Sequence, residues 1–139
     1  MSIRITCDQE GVDWQAVCDV VRLAPLWAPE PEKYRRACER STLAQAYDGE
    51  KLVGVARAVS DGEYCAYICD VTVLPDRQGQ GIGKKLVQTL MDRFPVQTVI
   101  LFAAPGKESF YEPFAFRRLK TGMARFANPE RMRDRGVIE

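Results

Sequence analysis

The segment Val71–Lys84, with the sequence VTVLPDRQGQGIGK, decides how the rest of the chain is interpreted. It begins as a strand that ends at Pro75. Three alternating glycines follow at positions 79, 81 and 83. Apolar side chains then recur at helical spacing over residues 82–94. Such a loop turns backbone N–H groups toward one point, where the helix N-terminus adds partial positive charge. The segment therefore predicts a phosphate- or pyrophosphate-binding site.

Two common phosphate motifs fit this loop worse. A P-loop needs Gly-x4-Gly-Lys-Ser/Thr, but Gln78 stands five residues before Gly83, and Lys85 occupies the Ser/Thr position. A dinucleotide fingerprint needs Gly-x-Gly-x-x-Gly, and the third glycine here comes one residue too early. The loop therefore matches neither class.

The pattern around this loop predicts a single mixed α/β domain over residues 1–139, with a charged tail from about residue 128 that is loose or weakly helical. Strands are predicted at 3–7, 43–47, 51–59, 64–74, 97–103 and from Phe116 onward, and helices at 12–23, 32–40, 82–94 and 107–114. This order predicts a mostly antiparallel central sheet of about six strands with helices on both faces.

Charge and hydropathy give no indication of a nucleic-acid or membrane partner. Lys+Arg number 20 against 19 Asp+Glu, and acids interrupt the arginines of the tail. Apolar runs fall far short of the ~20 residues that a spanning helix needs, and the N-terminus has no signal-peptide pattern. The five scattered cysteines do not form a disulfide framework. We therefore expect a cytoplasmic protein.

The chain contains no histidine. This excludes Ser-His-Asp and Cys-His catalysis and any histidine-based metal site. Cys65 and Cys69 would lie about 13 Å apart along one strand, too far for one tetrahedral metal site. Chemistry must therefore come from carboxylates, Tyr, Cys, Lys, Arg, water or backbone groups, and no metal is expected.

Two motifs resemble those of one enzyme family. Residues 78–83, QGQGIG, match Gln/Arg-x-x-Gly-x-Gly/Ala in full, and DVTVLP at 70–75 is a similar lead-in. A second motif, FYEPFAF, follows at 110–116 after one helix and one strand. Over about residues 43–126 the chain thus resembles the GNAT superfamily of N-acetyltransferases, whose element order the whole chain also follows.

The resemblance implies an acetyl-CoA site on the loop and on the strand before it. The pyrophosphate would bind the backbone amides from Gly79 to Lys84, and the pantetheine arm would pair along Val71–Val73. The Val73 N–H would polarise the thioester carbonyl. Arg77, Lys84 and Lys85 either add charge near the phosphates or are solvated. The implied cofactor-binding residues are Val71, Val73, Gln78, Gly79, Gln80, Gly81, Ile82, Gly83 and Lys84.

The resemblance also assigns the proton donor. Tyr111 stands where the family carries its general acid, although it could instead be a packing aromatic. The base is left open among Asp70, Glu63 and a chain of waters. Asp70 would gain basicity from burial in a cleft, but an anchoring role for it is equally compatible with the sequence. An acyl-enzyme on Cys69 departs from the family's direct attack.

Two positions depart from the family pattern, and the acceptor is not specified. Ala104 replaces a common Asn, which puts cofactor affinity in doubt, and Ala115 replaces a common Gly. Acceptor contacts are expected in residues 23–36, which include Trp27, Glu30, Glu32 and Tyr34.

The sequence therefore predicts acetyl-CoA-dependent transfer to a primary amine of a small molecule or peptide by direct attack. The alternative is a non-catalytic acetyl-CoA-binding sensor or interaction module. A homodimer is expected by analogy with the family.

Overall fold

The computed structural model describes residues 2–24 and 27–139, and its centre is a five-stranded sheet. The strands, in sheet order, are β1 (Ile3–Thr6), β2 (Thr42–Asp48), β3 (Lys51–Ser60), β4 (Cys65–Val73) and β5 (Thr98–Ile100). β1 to β4 are antiparallel, and β5 runs parallel to β4. The mostly antiparallel mixed sheet is thus confirmed, with one strand fewer than the predicted six among the described residues.

Helices cover both faces of this sheet, as predicted. They are α1 (Trp14–Val21), α2 (Pro31–Glu39) and α3 (Ile82–Arg93); a fourth helix, α4, spans Pro129–Asp134. Val55 packs in the cluster that α1 and α2 form, whereas a Cβ on the adjacent Gly54 would lie 3.1 Å from Leu86 of α3. Because successive strand residues point to opposite faces, α3 lies across the sheet from α1 and α2. None of the described helices is long and apolar enough to cross a membrane.

The core fixes β4 and the start of α3, the two elements that carry the predicted phosphate loop. On one face it contains Val17, Cys18, Val20, Val21, Tyr34, Cys38, Leu43 and Val55. On α3, Ile82, Leu86, Val87 and Leu90 are buried. Each large apolar side chain buried in this way contributes about 1.5–3 kcal/mol relative to an exposed one. Ile82 anchors the helix at its first residue, so the loop before it is held at a defined place.

The five cysteines are free. Cys18 and Cys38 are fully buried in the core between α1, α2 and the sheet. Burial raises the pKa of the Cys38 thiol to about 12. A thiol that stays protonated packs as a small apolar group and reacts poorly, so Cys38 has a structural role.

The chain divides into two compact units, one ending at Leu101 and the other spanning Phe102–Glu139. The second unit contains a 3₁₀ helix at Glu108–Phe114, as predicted in position, and α4, which Asn128 caps by accepting from the Arg131 N–H at 3.1 Å. The tail is therefore partly helical. The single-domain assignment stays a prediction.

The strand predicted from Phe116 onward is not formed. Residues 117–125 are all exposed, and Met123 is 97% accessible. A Cβ on Gly122 would lie 3.1 Å from Leu119, so the chain bends back on itself here instead of extending. An alternating pattern makes a strand only where a neighbouring strand pairs its N–H and C=O groups, and the pattern alone does not supply that neighbour.

Candidate cofactor and acyl-transfer site

The glycine-rich loop takes a backbone path that requires glycine at two positions. It leaves β4 through a short 3₁₀ turn at Pro75–Arg77, and Gly79 and Gly81 then have φ of 77° and 84°. A Cβ at either position would meet no atom within 4 Å, so crowding is not the reason for glycine there. The left-handed backbone itself is the reason, because it costs about 1–2 kcal/mol for an L-residue with a side chain.

The N-terminus of α3 presents unpaired N–H groups. Gly81 is its N-cap, and the hydrogen bond from the Lys85 N–H to the Gly81 carbonyl, at 3.1 Å, is the first of the helix. No described side chain caps this end. The N–H groups of residues 82–84 therefore precede the helical ladder and are available to an anion.

The charges in the first turn of α3 are opposite to the usual helix preference. This turn has no acidic residue and carries Lys84 and Lys85, although acids are the residues that stabilise a helix N-terminus. Two cations beside the positive end of the dipole destabilise the helix slightly and attract an anion. The arrangement thus favours binding of phosphate over helix stability.

Side chains of the loop fix its position. The Gln78 amide donates to the Val73 carbonyl at 3.0 Å, which joins the loop to the end of β4 and gives a structural reason for glutamine at this motif position. Arg77 forms an ion pair with Asp48 at 2.5 Å. Arg77 therefore helps to hold the loop against the β2–β3 turn, whereas Lys84 and Lys85 supply the charge at the helix start.

The second half of β4 has an open edge. β5 pairs only with Cys65–Tyr67, and no described strand pairs with residues 68–73 on that side. The Leu74 N–H donates to the Val53 carbonyl on β3 at 2.9 Å. Because successive N–H groups of a strand alternate in direction, the Val73 N–H points to the open edge, and so does that of Val71.

An open strand edge can pair with an extended ligand. The Thr72 hydroxyl on the same stretch is buried and has no hydrogen-bond partner among the described residues. The residues present thus fit a pantetheine-like arm that pairs along β4 and leads to an anion at the start of α3.

Asp70 lies in a buried polar cluster on the face of the sheet that α1 and α2 cover. Its Oδ2 accepts from Arg57 Nε at 2.9 Å and from the Tyr34 hydroxyl at 2.8 Å, and its Oδ1 accepts from Trp27 Nε1 at 3.0 Å. The Arg57 guanidinium also lies over the Tyr34 ring, 5.2 Å from its centroid. We call these four residues the Asp70 cluster.

The contacts of Asp70 favour the anchoring interpretation over the catalytic base. Three donors already take three of the carboxylate's roughly four acceptor positions and fix its orientation, as expected of an anchor. Burial and the nearby carboxylate raise the pKa of the Tyr34 phenol, which therefore stays protonated as a donor. The sequence did not identify Arg57 as a partner, although an arginine within the apolar run of β3 was a signal that a buried acid lies nearby.

The residues predicted to contact the acceptor have different environments. Tyr34 is only 2% exposed and belongs to the core, and Glu32 forms an ion pair with Arg35 at 2.6 Å. Trp27 remains 38% exposed. Residues 25 and 26 of the same region lie outside the described residues. Of the aromatic candidates, Trp27 is thus the one that a ligand can contact.

Tyr111 lies in the 3₁₀ helix of the second unit, packed edge-on against two phenylalanines. Its ring centroid is 4.9 Å from that of Phe110 and 5.9 Å from that of Phe116. Burial raises the pKa of its phenol, which keeps the proton that a general acid must donate. The following turn needs a φ of 67° at Ala115, and this left-handed backbone explains why the family often has glycine there.

The remaining candidates are less suited to chemistry. Burial raises the pKa of the Cys69 thiol despite the opposing effect of Arg57, so little thiolate is present for an acyl-cysteine step. Glu63 is exposed in a turn that Asp61 organises by accepting from three successive backbone N–H groups. Among the described residues, no group of three cysteine, aspartate or glutamate side chains could hold a metal ion.

Comparison with known proteins identifies relatives of one kind. The sequence model of the Acetyltransferase (GNAT) family matches residues 10–116. N-acetyltransferase ycf52 of Pyropia yezoensis is 37% identical over 111 residues, 73% of this chain and 62% of that protein. Histone acetyltransferase TAP1 of Glycine max is 34% identical over 78% of this chain and 52% of its own. Serotonin N-acetyltransferase 2, chloroplastic, of Oryza sativa is 30% identical over 76% and 57%.

Solved structures share the fold. A GNAT-family acetyltransferase from Xanthomonas campestris superimposes with a TM-score of 0.80, at 23% identity, over 91% of this chain and 94% of its own. A GNAT-family acetyltransferase from Elizabethkingia anophelis with acetyl-CoA bound has a TM-score of 0.67, at 19% identity, over 85% and 78%. The chain spans about half to three-fifths of the length of the curated relatives named above.

Proposed function

The chain belongs to the GNAT family of acetyltransferases, and on that premise we propose that it moves an acetyl group from acetyl-CoA to a primary amine by direct attack. The observation that supports this proposal most strongly is the uncapped, lysine-bearing N-terminus of α3 next to the open edge of β4. One element suits a pyrophosphate and the other an extended pantetheine arm. The acetyl-CoA bound to the Elizabethkingia neighbour is consistent with this choice of acyl donor.

In the proposed reaction each residue has one task. The N–H groups of residues 82–84 hold the pyrophosphate, with Gly79, Gln80 and Gly81 shaping the loop. The Val73 N–H donates to the thioester carbonyl and stabilises the charge that develops there. As the amine nitrogen forms its bond to the carbonyl carbon, the C–S bond breaks, and Tyr111 gives the sulfur a proton.

The amine must also lose a proton, because a free alkylamine is protonated at neutral pH. Asp70 and a chain of waters are the two candidates for accepting it. The three donors on Asp70 favour water as the direct acceptor, with Asp70 as an anchor.

The experiment that tests this function measures thiol release from acetyl-CoA against a panel of primary amines. The panel should include arylalkylamines, aliphatic amines, a polyamine and lysine peptides, because relatives are named for serotonin and for histones. Amine-dependent thiol release, with acetylated product confirmed by mass spectrometry, is the expected result. Tight acetyl-CoA binding without turnover on any amine would instead favour the binding-module alternative, for which Ala104 is the one supporting feature.

Replacing Lys84 and Lys85 by glutamate should have opposite effects on stability and on cofactor binding. Acids in the first turn suit the helix dipole, so we expect the free protein to become more stable by about 0.3–1 kcal/mol. The same change places negative charge beside the pyrophosphate site, and acetyl-CoA affinity should fall at least tenfold. Thermal unfolding and calorimetric titration measure the two quantities.

The matched control for that prediction is Lys51→Glu, an exposed charge change on β3 outside the loop. It should leave acetyl-CoA affinity within about twofold. Equal affinity in the Lys84/Lys85 variant and in the wild type would contradict the placement of the pyrophosphate at α3.

Compartment and assembly are proposals as well. Five free cysteines suit a reducing compartment such as the cytoplasm. The homodimer expected by analogy can be tested by sedimentation at several protein concentrations.

A further inference from the structure

Apart from tyrosine and cysteine, three polar or charged residues are buried in the part of the chain that the structure describes. Gln45 donates to the Asp8 carbonyl at 2.9 Å and accepts from the Tyr47 hydroxyl at 2.8 Å. Asp70 has the three donors described above. The hydroxyl of Thr72, which is 8% exposed, meets no hydrogen-bond partner among the described residues. Buried hydroxyls normally have one, so this atom needs an explanation.

The register of β3 and β4 places Thr72 beside the open edge. Thr72 lies opposite Val55, which packs with α1 and α2, so its side chain points to that face of the sheet. Its carbonyl lies on the β3 side, 3.2 Å from where a Cβ on Gly54 would be. Because a trans peptide holds a carbonyl and the next N–H on opposite sides, the Val73 N–H points away from β3. The orphan hydroxyl and this N–H thus belong to neighbouring residues at one edge.

Covalent geometry keeps these two donors close together. Only Cβ, Cα and the carbonyl carbon separate Thr72 Oγ1 from the Val73 nitrogen, so the two atoms lie about 3–4 Å apart in a staggered rotamer that turns Oγ1 toward the edge. Two donors at that separation can both reach one oxygen at ordinary hydrogen-bond lengths of about 2.7–3.0 Å. A carbonyl oxygen has two lone pairs to receive them. The pair therefore fits a single carbonyl oxygen at the open edge of β4.

We propose that Thr72 is a catalytic residue whose hydroxyl donates a second hydrogen bond, beside that of the Val73 N–H, to the carbonyl oxygen of the thioester. This inference rests on the proposed function and deepens it by adding a donor to the acyl-transfer step. The oxygen gains negative charge as the amine nitrogen bonds to its carbon, so both donors then hold it more strongly. Thr72 keeps its own proton throughout. Rotation about Cα–Cβ brings its hydroxyl to the ligand, which supplies the missing partner.

Two variants measure this role in turnover. Thr72→Val replaces the hydroxyl by a methyl group and should lower kcat by about 10–100-fold, because the Val73 N–H still donates. The Kd of acetyl-CoA should stay within about threefold, because the hydroxyl contributes most when charge develops on the oxygen. Thr72→Ser keeps the hydroxyl and should recover kcat to within about threefold of the wild type. Thr42→Val, the same change at a half-buried site on β2, should leave kcat within about twofold.

The carbonyl of bound acetyl-CoA gives a readout that needs no turnover. A hydrogen bond to a carbonyl oxygen weakens the C=O bond and lowers its stretching frequency. Infrared difference spectra of acetyl-CoA labelled with ¹³C at the thioester carbonyl, at saturation and without amine, isolate this band. The band should lie at higher frequency in Thr72→Val than in the wild type, and Thr72→Ser and Thr42→Val should match the wild type.

The stability of the protein without acetyl-CoA should change in the opposite direction to its activity. An unpaired buried hydroxyl costs stability, and a methyl group in its place does not. Thr72→Val should therefore melt about 2–5 °C above the wild type although it turns over more slowly. A lower melting temperature would overturn the proposal, because it would show that the hydroxyl already has a partner inside the protein.

Failure of this inference differs from failure of the proposed function. Amine acetylation by Thr72→Val at the wild-type rate, with an unchanged carbonyl frequency, would overturn the inference and leave the function in place. A carbonyl frequency that depends on Thr72, without acetylation of any amine, would support the second donor and remove the proposed function.

Discussion

Replacing Tyr111 by phenylalanine is expected to lower kcat by about 10²–10³-fold, within the usual contribution of a positioned general acid. The ring keeps its edge contacts with Phe110 and Phe116, at 4.9 and 5.9 Å, so the fold of the second unit should be preserved. Only the hydroxyl, the proposed proton donor, is removed. The measurement is thiol release at saturating acetyl-CoA and amine, together with the Kd of acetyl-CoA, which should change less than about threefold.

The pH dependence makes this prediction sharper. Burial raises the pKa of Tyr111 above the ordinary value of about 10, so the phenol remains a proton donor throughout the range in which the amine becomes deprotonated. We expect kcat of the wild type to rise with pH and then to level off, with no decline from Tyr111 below about pH 10.

The matched control is Tyr64→Phe, which removes a hydroxyl from a tyrosine that is 68% exposed. It should leave kcat within twofold. Wild-type turnover in Tyr111→Phe would remove Tyr111 from the mechanism and support the interpretation of it as a packing aromatic.

Replacing Asp70 by alanine should produce the largest loss of stability, about 3–5 kcal/mol, which is the usual effect of leaving one member of a buried ion pair without its partner. The Arg57 side chain is 14% exposed, so water can compensate its charge only in part. The Tyr34 hydroxyl and the Trp27 indole N–H lose their acceptor at the same time. We expect the melting temperature to fall by about 10 °C or more, as measured by calorimetry.

Two further variants identify the cause of this loss. Arg57→Met combined with Asp70→Leu removes both charges, and it should be considerably more stable than Asp70→Ala because no unpaired charge remains. Asp70→Asn keeps the size of the side chain and one oxygen acceptor. If Asp70→Asn lowered kcat by 10² or more with little loss of stability, Asp70 would be the base and not an anchor; if Asp70→Ala unfolded at the wild-type temperature, the ion pair would have no structural role.

The loop and its helix could be predicted from the sequence because their signals are local. Gly79 and Gly81 are required by the left-handed backbone at their own positions, and the apolar spacing of residues 82–94 lies within one helix. The predicted helices α1 to α3 agree with the structure to within two residues at each end. The strand predicted at 97–103 was too long, since only Thr98–Ile100 is paired.

The candidate site was predicted in part. The motif predicted a phosphate site at the glycine-rich loop, which stays a prediction, and it placed Asp70 on the strand that would carry the acyl donor, but it left open whether Asp70 is a base or an anchor. It assigned Tyr34 to the acceptor region, whereas the structure buries its ring and uses its hydroxyl on Asp70. Neither the partners of Asp70 nor the open edge beyond Tyr67 is visible in any one segment.

The sequence by itself determined the α/β order, the glycine-rich loop with its lysines, and the lack of histidine in this chain, because each depends on residue type or on spacing over a few positions. Only the tertiary structure decided the environment of Asp70, because its partners Trp27, Tyr34 and Arg57 are 43, 36 and 13 residues away along the chain. It also decided that the edge of β4 stays open beyond Tyr67 and that Trp27 remains exposed. These features arise from packing between distant segments, and periodicity within one segment carries no information about which partner it meets.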